Sequence, residues 1–200
     1  DLADLLAWRR DVRRFRRDPV APEILDDLLR LACLAPSVGN SQPWRFVTVD
    51  DAARRAKIVE IFNACNLRAA TLYEGEDAEL YATLKLAGLV EAPVHIAVFA
   101  ESNPAEGKGL GRQTMPQTTL FSTVGAIHNL WLAARARHIG LGWVSILDPD
   151  AVTAILAVPE TWYFVGYLCL GYPVEEHADP ELDRAGWQKS LPHHTFVFER

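Results

Sequence analysis

Apolar residues recur every three or four positions at Ile24, Leu25, Leu28, Leu29, Leu31 and Ala32. With Pro19 and Pro22 ahead of them and Pro36 behind, this spacing predicts an amphipathic helix. The run Arg45–Asp50, RFVTVD, predicts a short strand, and a helix through Ile58, Val59 and Phe62 follows it. Residues 71–89 read as helical and are closed by Pro93, after which Val94–Ala100 reads as a mostly apolar strand. Leu120, Val124, Ile127, Trp131 and Ala134 mark one face of a strong helix that ends near Gly140. Trp143–Leu147 and Phe164–Leu170 predict buried strands, separated by a short helix after Pro149. Residues 101–118, with GKGLGRQTMPQ at their centre, are rich in Gly, Pro and polar residues. A loop of that length is uncommon and often functional, and this one is expected to act as a lid over a site. The polar tail from Pro173 is expected to wrap over a neighbour. The chain has no internal repeat, low-complexity segment or linker, so it reads as one domain over 1–200, of α+β or α/β class.

Composition narrows the partners. A formal net charge of -6 argues against a nucleic-acid or membrane-surface protein. No apolar run approaches the roughly 20 residues that span a bilayer, and no charged-then-apolar leader opens the chain. The expectation is a cytoplasmic protein. The first residue is Asp1 rather than Met, so further residues are expected ahead of it. Cys33, Cys65 and Cys169 form no CxxC or Cys/His cluster. They are expected to be buried free thiols, and no metal site is expected. His128 lies beside the stripe of the long helix and is expected to be a packed core histidine.

Two local anomalies carry chemistry. The first is Arg9–Arg17, RRDVRRFRR, an arginine cluster in an acidic protein. A solvated helix end, a nucleic-acid patch and an anion pocket all remain open from the run itself, although planar guanidinium groups match phosphate oxygens well. Asp11 within it either neutralises its neighbours or is a carboxylate poised to take a proton from a ligand. The second is Ala35–Val47, APSVGNSQPWRFV. Pro36 breaks the helix, and Ser37, Gly39, Asn40, Ser41 and Gln42 offer donors and acceptors along the edge of a flat heterocycle. A plain turn between helix and strand fits as well.

The wording of these segments resembles a known family. RRDVRRF followed by APSVGNSQPWRFV is similar to the flavin-binding start of the nitroreductase superfamily. With LKLAGLVEAP (84–93), GLGRQTMPQ (109–117), FSTVGAIHNLWLAARA (121–136), GLGWVSIL (140–147), YLCLGYP (167–173) and PELDRAGW (180–187), the chain resembles the BluB family of 5,6-dimethylbenzimidazole synthases. The resemblance implies an α+β nitroreductase-like fold, with a central, mostly antiparallel sheet flanked by helices. It implies an intertwined homodimer with FMN at the interface. It places Arg9, Arg10 and Arg13 on the flavin phosphate and pyrimidine side, with Asp11 and Val12 beside them. Pro36, Ser37 and Gly39 would line the flavin, Gly39 where a side chain would collide with it. Asp11 and Ser145 match the catalytic pair, the strand carrying Ser145 passing near flavin N5. Where family members have Arg shortly after GW, this chain has Gln188, Lys189 and Ser190. Lys189 is therefore the expected substitute phosphate contact.

The implied reaction is O2-dependent fragmentation of reduced FMN to 5,6-dimethylbenzimidazole, the lower ligand of cobalamin, and erythrose 4-phosphate. NAD(P)H would enter indirectly, through a flavin reductase. Asp11 would serve as acid/base and Ser145 would orient N5. Two alternatives stand beside this reading. One is an NAD(P)H-dependent nitroreductase, flavin reductase or cob(II)yrinic acid a,c-diamide reductase on the same fold; the other is a non-catalytic flavin-binding protein.

Overall fold

The computed structural model describes residues 1–84 and 88–200. Lys85–Ala87, at the start of the LKLAGLVEAP motif and within the predicted 71–89 helix, lie outside the described residues. The α-helices are α1 (Leu2–Trp8), α2 (Pro22–Ala32), α3 (Ala52–Ala70), α4 (Gly75–Thr83), α5 (Gly88–Glu91), α6 (Thr118–Arg135), α7 (Pro149–Leu156) and α8 (Glu181–Arg184). The strands are β1 (Trp44–Thr48), β2 (Val94–Glu101), β3 (Gly140–Val144) and β4 (Trp162–Gly171). Among the described residues they form one sheet of order β1-β2-β4-β3, with every neighbouring pair antiparallel. The α+β expectation holds.

Strand periodicity sends alternate side chains to opposite faces, and here both faces are buried. Ala97 and Phe99 of β2, with Tyr167 and Cys169 of β4, pack on one face against Ile58 and Phe62 of α3 and Val152 and Leu156 of α7. Ile96 and Val98, with Leu168 and Leu170, pack on the other against Leu28 of α2 and Ile127, Leu130 and Ala134 of α6. That is why VHIAVFA is nearly continuous in apolar residues rather than alternating. Helix starts follow local chemistry. The Asp51 carboxylate accepts the Arg54 N–H at 2.8 Å at the head of α3, and Asp148 accepts from Asp150 and Ala151 ahead of Pro149 in α7.

Several expectations need correction. The predicted 143–147 strand is β3, Gly140–Val144, so Ser145 stands on the loop just past its end and is exposed. The two glycines at 140 and 142 hid the start of this strand. In α6 the buried line runs through Thr119, Thr123, Ala126, Ile127, Leu130 and Ala134, while Phe121, Val124 and His128 face outward. This helix is apolar nearly all round, so spacing could not choose its inner face. Thr123 and Ser122 can be buried because their hydroxyls donate to the carbonyls of Thr119 and Thr118, at 3.0 and 2.7 Å. His128 is therefore not a core histidine. The core histidine is His95, only 2 % exposed, on β2. Of the cysteines only Cys169 is buried; Cys33 is exposed and Cys65 lies between. No helix among the described residues is long and apolar enough to cross a membrane.

Candidate functional site

After α1 the chain runs extended along the outer edge of β3. Asp11 pairs in parallel with Leu141, and the Val12 N–H donates to the Leu141 carbonyl at 3.1 Å. Further on, the Arg16 N–H donates to the Tyr172 carbonyl at 2.8 Å and the Val174 N–H to that of Arg14 at 3.1 Å. The arginine run is thus neither a helix nor a loose tail but an arm laid between β3 and the segment after β4. Gly142 makes this possible, because a Cβ there would stand 2.3 Å from the Val12 carbonyl oxygen.

The arm holds Asp11 by both carboxylate oxygens. The Trp143 N–H, an edge donor of β3, donates to Oδ1 at 2.9 Å, and Arg13 Nε donates to Oδ2 at 3.3 Å. Protein surrounds the group, yet its side chain keeps 36% of its surface because it opens onto a crevice. Burial raises its pKa above the usual carboxylate range, opposed by the Trp143 N–H and the charge and hydrogen bond of Arg13. A carboxyl so placed can hold and release a proton.

The crevice is lined by Arg9, Arg10, Asp11, Val12 and Arg13 of the arm, Trp131 and Arg135 of α6, and Glu181 and Arg184 of α8. It is partly open and offers about 40 Å³ of interior room, enough to admit a small anionic group. Arg9 stacks over the Trp131 ring at 4.6 Å, a cation–π contact that fixes its plane. Burial, and then the neighbouring Arg10 charge, lower the Arg9 pKa. Arg10 Nε donates to the Ala178 carbonyl at 2.7 Å. Arg13 Nη1 lies 3.6 Å from a Glu181 oxygen. Among the described residues, Arg9 Nε and Arg13 Nη1 are buried without a hydrogen-bond acceptor. Buried guanidinium donors left unpaired are costly, so an anion that enters would meet Arg9 and Arg13, while Glu176 and Asp179, which also line the crevice, pair with Arg135 and Arg184. Arg14 is not part of that supply, because Glu91 engages both its guanidinium and the Phe15 N–H.

A second, smaller cavity lies on the other side of Asp11, lined by Val12, Arg13, Gly88, Gly142, Trp143, Val144 and Cys169. Burial pushes the Cys169 thiol up to about 12, so it is an inert wall rather than a nucleophile. Deeper in the core the ring of His95 is held at both nitrogens, 3.1 Å from the Tyr167 hydroxyl and 3.1 Å from the Ala92 carbonyl. The carbonyl can only accept, so Nε2 carries the proton and Nδ1 accepts from Tyr167.

Pro36, Ser37 and Gly39 line neither cavity. Their loop is tied to the N-terminal half of α6 by the Val38 N–H, which donates to Ser122 Oγ at 3.1 Å. Trp131, which lines the crevice, lies nine residues further along α6, a rise of about 13 Å. A Cβ on Gly39 would meet Leu110 and Gly107 of the 101–118 loop, and that close neighbour is what requires glycine there. Lys189 stands outside both cavities, exposed, with Nζ 2.8 Å from Asp183 Oδ1, an ion pair that raises its pKa. The basic residue of the C-terminal segment that reaches the crevice is Arg184, whose Nη1 donates to the Asp179 carbonyl and carboxylate at 2.9 and 3.1 Å. Sequence reasoning missed Arg184, Trp131 and Glu181. A charged pair of Glu and Arg on one short helix was their only trace.

The pattern of the Nitroreductase family matches residues 6–172. The chain is 58% identical over 189 residues to a protein of Rhodospirillum rubrum named 5,6-dimethylbenzimidazole synthase, covering 94% of this chain and 90% of that protein. It is 52% identical to a protein of the same name from Rhodobacter capsulatus, covering 96% and 92%. Among solved structures, iodotyrosine deiodinase bound to FMN and 3-iodo-L-tyrosine superposes with a TM-score of 0.75 at 26% identity, covering 88% and 92% of the two chains. A BluB-like flavoprotein from Clostridium difficile shares the fold, with a TM-score of 0.73 at 21% identity and coverage of 100% and 99%.

Proposed function

This chain belongs to the nitroreductase family, and from that footing we propose that it is a 5,6-dimethylbenzimidazole synthase, like the relatives that are 58% and 52% identical to it over the aligned residues. The observation that carries the reading is the Asp11 carboxylate, seated with a raised pKa among arginines that keep unpaired donors. An anion-binding crevice alone needs no acid. A proton-transferring group at its centre gives the site a reaction to perform.

The residues present fit FMN. Arg9, Arg10 and Arg13 would hold its phosphate and pyrimidine side, with Arg184 taking the part first given to Lys189. The ring system would extend out of the crevice, away from Arg9 and Arg13. Pro36, Ser37 and Gly39 would line that ring from a second copy of the chain, because in one chain they stand apart from the arm. Phe121 and Val124, exposed on α6 beside that loop, and Phe196 and Phe198 of the tail give such a homodimer apolar surface to cover. Bound in its reduced form, FMN would supply the electrons for O2 and the dimethylbenzene ring, nitrogens and ribityl C1′ of 5,6-dimethylbenzimidazole, the rest of the ribityl phosphate leaving as erythrose 4-phosphate and the pyrimidine portion as a separate fragment. A separate NAD(P)H-dependent flavin reductase supplies the reduced form.

The protein's own part is positioning and proton transfer. Oδ1 of Asp11 is occupied by the short bond from the Trp143 N–H. Oδ2, held only by the longer bond from Arg13, is the atom that takes up and returns a proton. Ser145 is exposed and lines neither cavity; with no base bonded to it among the described residues to make it a nucleophile, it would orient the flavin with its hydroxyl. Asp11→Asn keeps an acceptor for the Trp143 N–H and removes the titrating oxygen. Rapid mixing of reduced, FMN-loaded protein with O2 should show product formation slowed by about 10²–10⁴ in this variant. FMN affinity should stay within about threefold. An Asn variant that makes benzimidazole at near the wild-type rate would remove Asp11 from the mechanism.

A further inference from the structure

The two loops that meet at Gly39 share an unusual backbone. Gly39, Asn40 and Gln42 have φ of 56, 54 and 47°, and Gly107, Lys108, Gly109 and Gly111 have φ of 74, 49, 77 and 80°. Three of these seven left-handed residues carry side chains, a conformation that persists only where the surroundings enforce it.

Here the surroundings are the other loop. A Cβ on Gly107 would stand 2.6 Å from the Gly39 carbonyl oxygen, and one on Gly39 would stand 2.9 Å from that of Leu110. A Cβ on Gly111 would stand 2.7 Å from Val38 Cγ2, with no other atom within 4 Å. Ser41, 1% exposed, sits against Gly107. The loops therefore interlock backbone to backbone at Gly39 and Gly107, and at Gly111 an added methyl group would meet the Val38 side chain. The outer loop is fixed in turn by Arg112, whose Nη1 donates to Asn103 Oδ1 and Nη2 to the Pro104 carbonyl, both at 3.0 Å. The bonds that shape the 36–42 loop from within are local: the Asn40 N–H to the Ser37 carbonyl, the Ser41 N–H to that of Val38, the Gln42 N–H to Ser37 Oγ, and Gln42 Nε2 to the Asn40 carbonyl. Outside it, the Val38 N–H donates to Ser122 Oγ and Arg45 Nη1 to the Gln42 carbonyl, which leaves Gly39 and Asn40 to the contact with the other loop.

We propose that Gly107 and Gly111 are positioning residues: the 101–118 loop is a fixed template that sets the shape of the flavin-lining 36–42 loop, rather than a lid that opens over it. This rests on the reading that Ser37 and Gly39 line the flavin. Substitution in the template should then move FMN affinity while leaving the proton chemistry of Asp11 intact.

Gly111→Ala is the cleanest probe, because its single collision can be removed from the other side by Val38→Ala. Flavin fluorescence quenching gives the FMN dissociation constant, and a thermal melt reports folding. Gly111→Ala should raise the constant about tenfold or more, and Val38→Ala/Gly111→Ala should restore it to within about threefold of Val38→Ala alone. Gly75→Ala, also left-handed at φ 58° but with nothing within 4 Å of the added Cβ, should leave it unchanged. The flavin that Gly111→Ala does bind should be converted with an unchanged kcat. A Gly111→Ala protein that binds FMN like wild type, or a double variant no better than Gly111→Ala, would overturn the proposal. Should Gly111→Ala fail to fold, Arg112→Gln releases the template without adding an atom to the contact; it should also weaken FMN, and an unchanged constant would again overturn the idea. Wild-type protein that binds FMN but forms no benzimidazole would defeat the functional reading alone. Wild-type protein that does not bind FMN would defeat both.

Discussion

The arginine arm and the 36–42 loop are held by opposite means. The arm lies on a sheet edge, its backbone paired with β3 and with the segment after β4, and its side chains point into a crevice. The loop pairs with no strand; its left-handed backbone is pressed against a second loop of the same kind. A sheet edge fixes where side chains begin, which suits charged groups that must meet an anion. Interlocked left-handed turns fix where backbone groups and a small hydroxyl stand, which suits contact with a flat ring. The two regions should therefore respond differently to mutation.

The largest effect expected from breaking the arm comes from Gly142→Ala. The added methyl cannot fit 2.3 Å from the Val12 carbonyl, so the arm must lift from β3. Overpacking of this kind costs about 1–3 kcal/mol, measurable by urea unfolding, and FMN binding should fall with it. A second test separates the regions by ligand. Arg13→Gln should weaken FMN by about 10–100-fold, the worth of a charge-assisted hydrogen bond in a buried site, and riboflavin by less, because the loss includes the phosphate. Changes in the 36–42 loop should weaken FMN and riboflavin alike; equal losses of both ligands in Arg13→Gln would erase the distinction.

A smaller effect, outside both regions, concerns pH. Burial and the nearby Arg55 charge lower the His95 pKa from 6.5 to about 4, opposed by the Ala92 carbonyl. The neutral ring is thus the folded form. Its contribution to stability is complete above pH 6.5 and is lost as pH falls from there through 4, up to about 3 kcal/mol in all. Urea unfolding between pH 7 and 4 should show a steeper loss of stability in the wild type than in His95→Gln, the difference being the part due to His95. The smallest effect is expected from Lys189→Ala, which removes a solvent-exposed pair with Asp183 and should not change FMN affinity, whereas Arg184→Ala should weaken it.

The use of the arm came from the family resemblance alone, while the arm itself was legible as an anomaly, a lone acid among arginines in RRDVR. Its seat on β3 was not, since it depends on Gly140 and Gly142, residues that weaken any strand signal. The strands β1, β2 and β4 were found to within two residues, because buried strands are rich in apolar and aromatic side chains. The inner face of α6 was misjudged because Phe121 and Val124 are as apolar as the residues that point inward. Helix α1 was missed: it buries none of its residues, and its only signal is the Asp1–Asp4 capping box. The role of the 101–118 loop depends on a contact between segments some 70 residues apart, which no local pattern reports. Arg184 is reached only through the fold of the tail, where Trp187 packs edge-on against Tyr73 at 5.2 Å.

The central claim, that a carboxylate in an arginine crevice directs the breakdown of bound flavin, is tested most directly by the fate of one carbon. FMN labelled with ¹³C at ribityl C1′ would be incubated with the protein, a separate flavin reductase, NADH and air, and the products followed by mass. The account predicts 5,6-dimethylbenzimidazole heavier by about one mass unit, appearing as FMN disappears and absent with Asp11→Asn. Labelled FMN recovered intact from the wild-type reaction, with NADH consumed only by the added reductase, would contradict it.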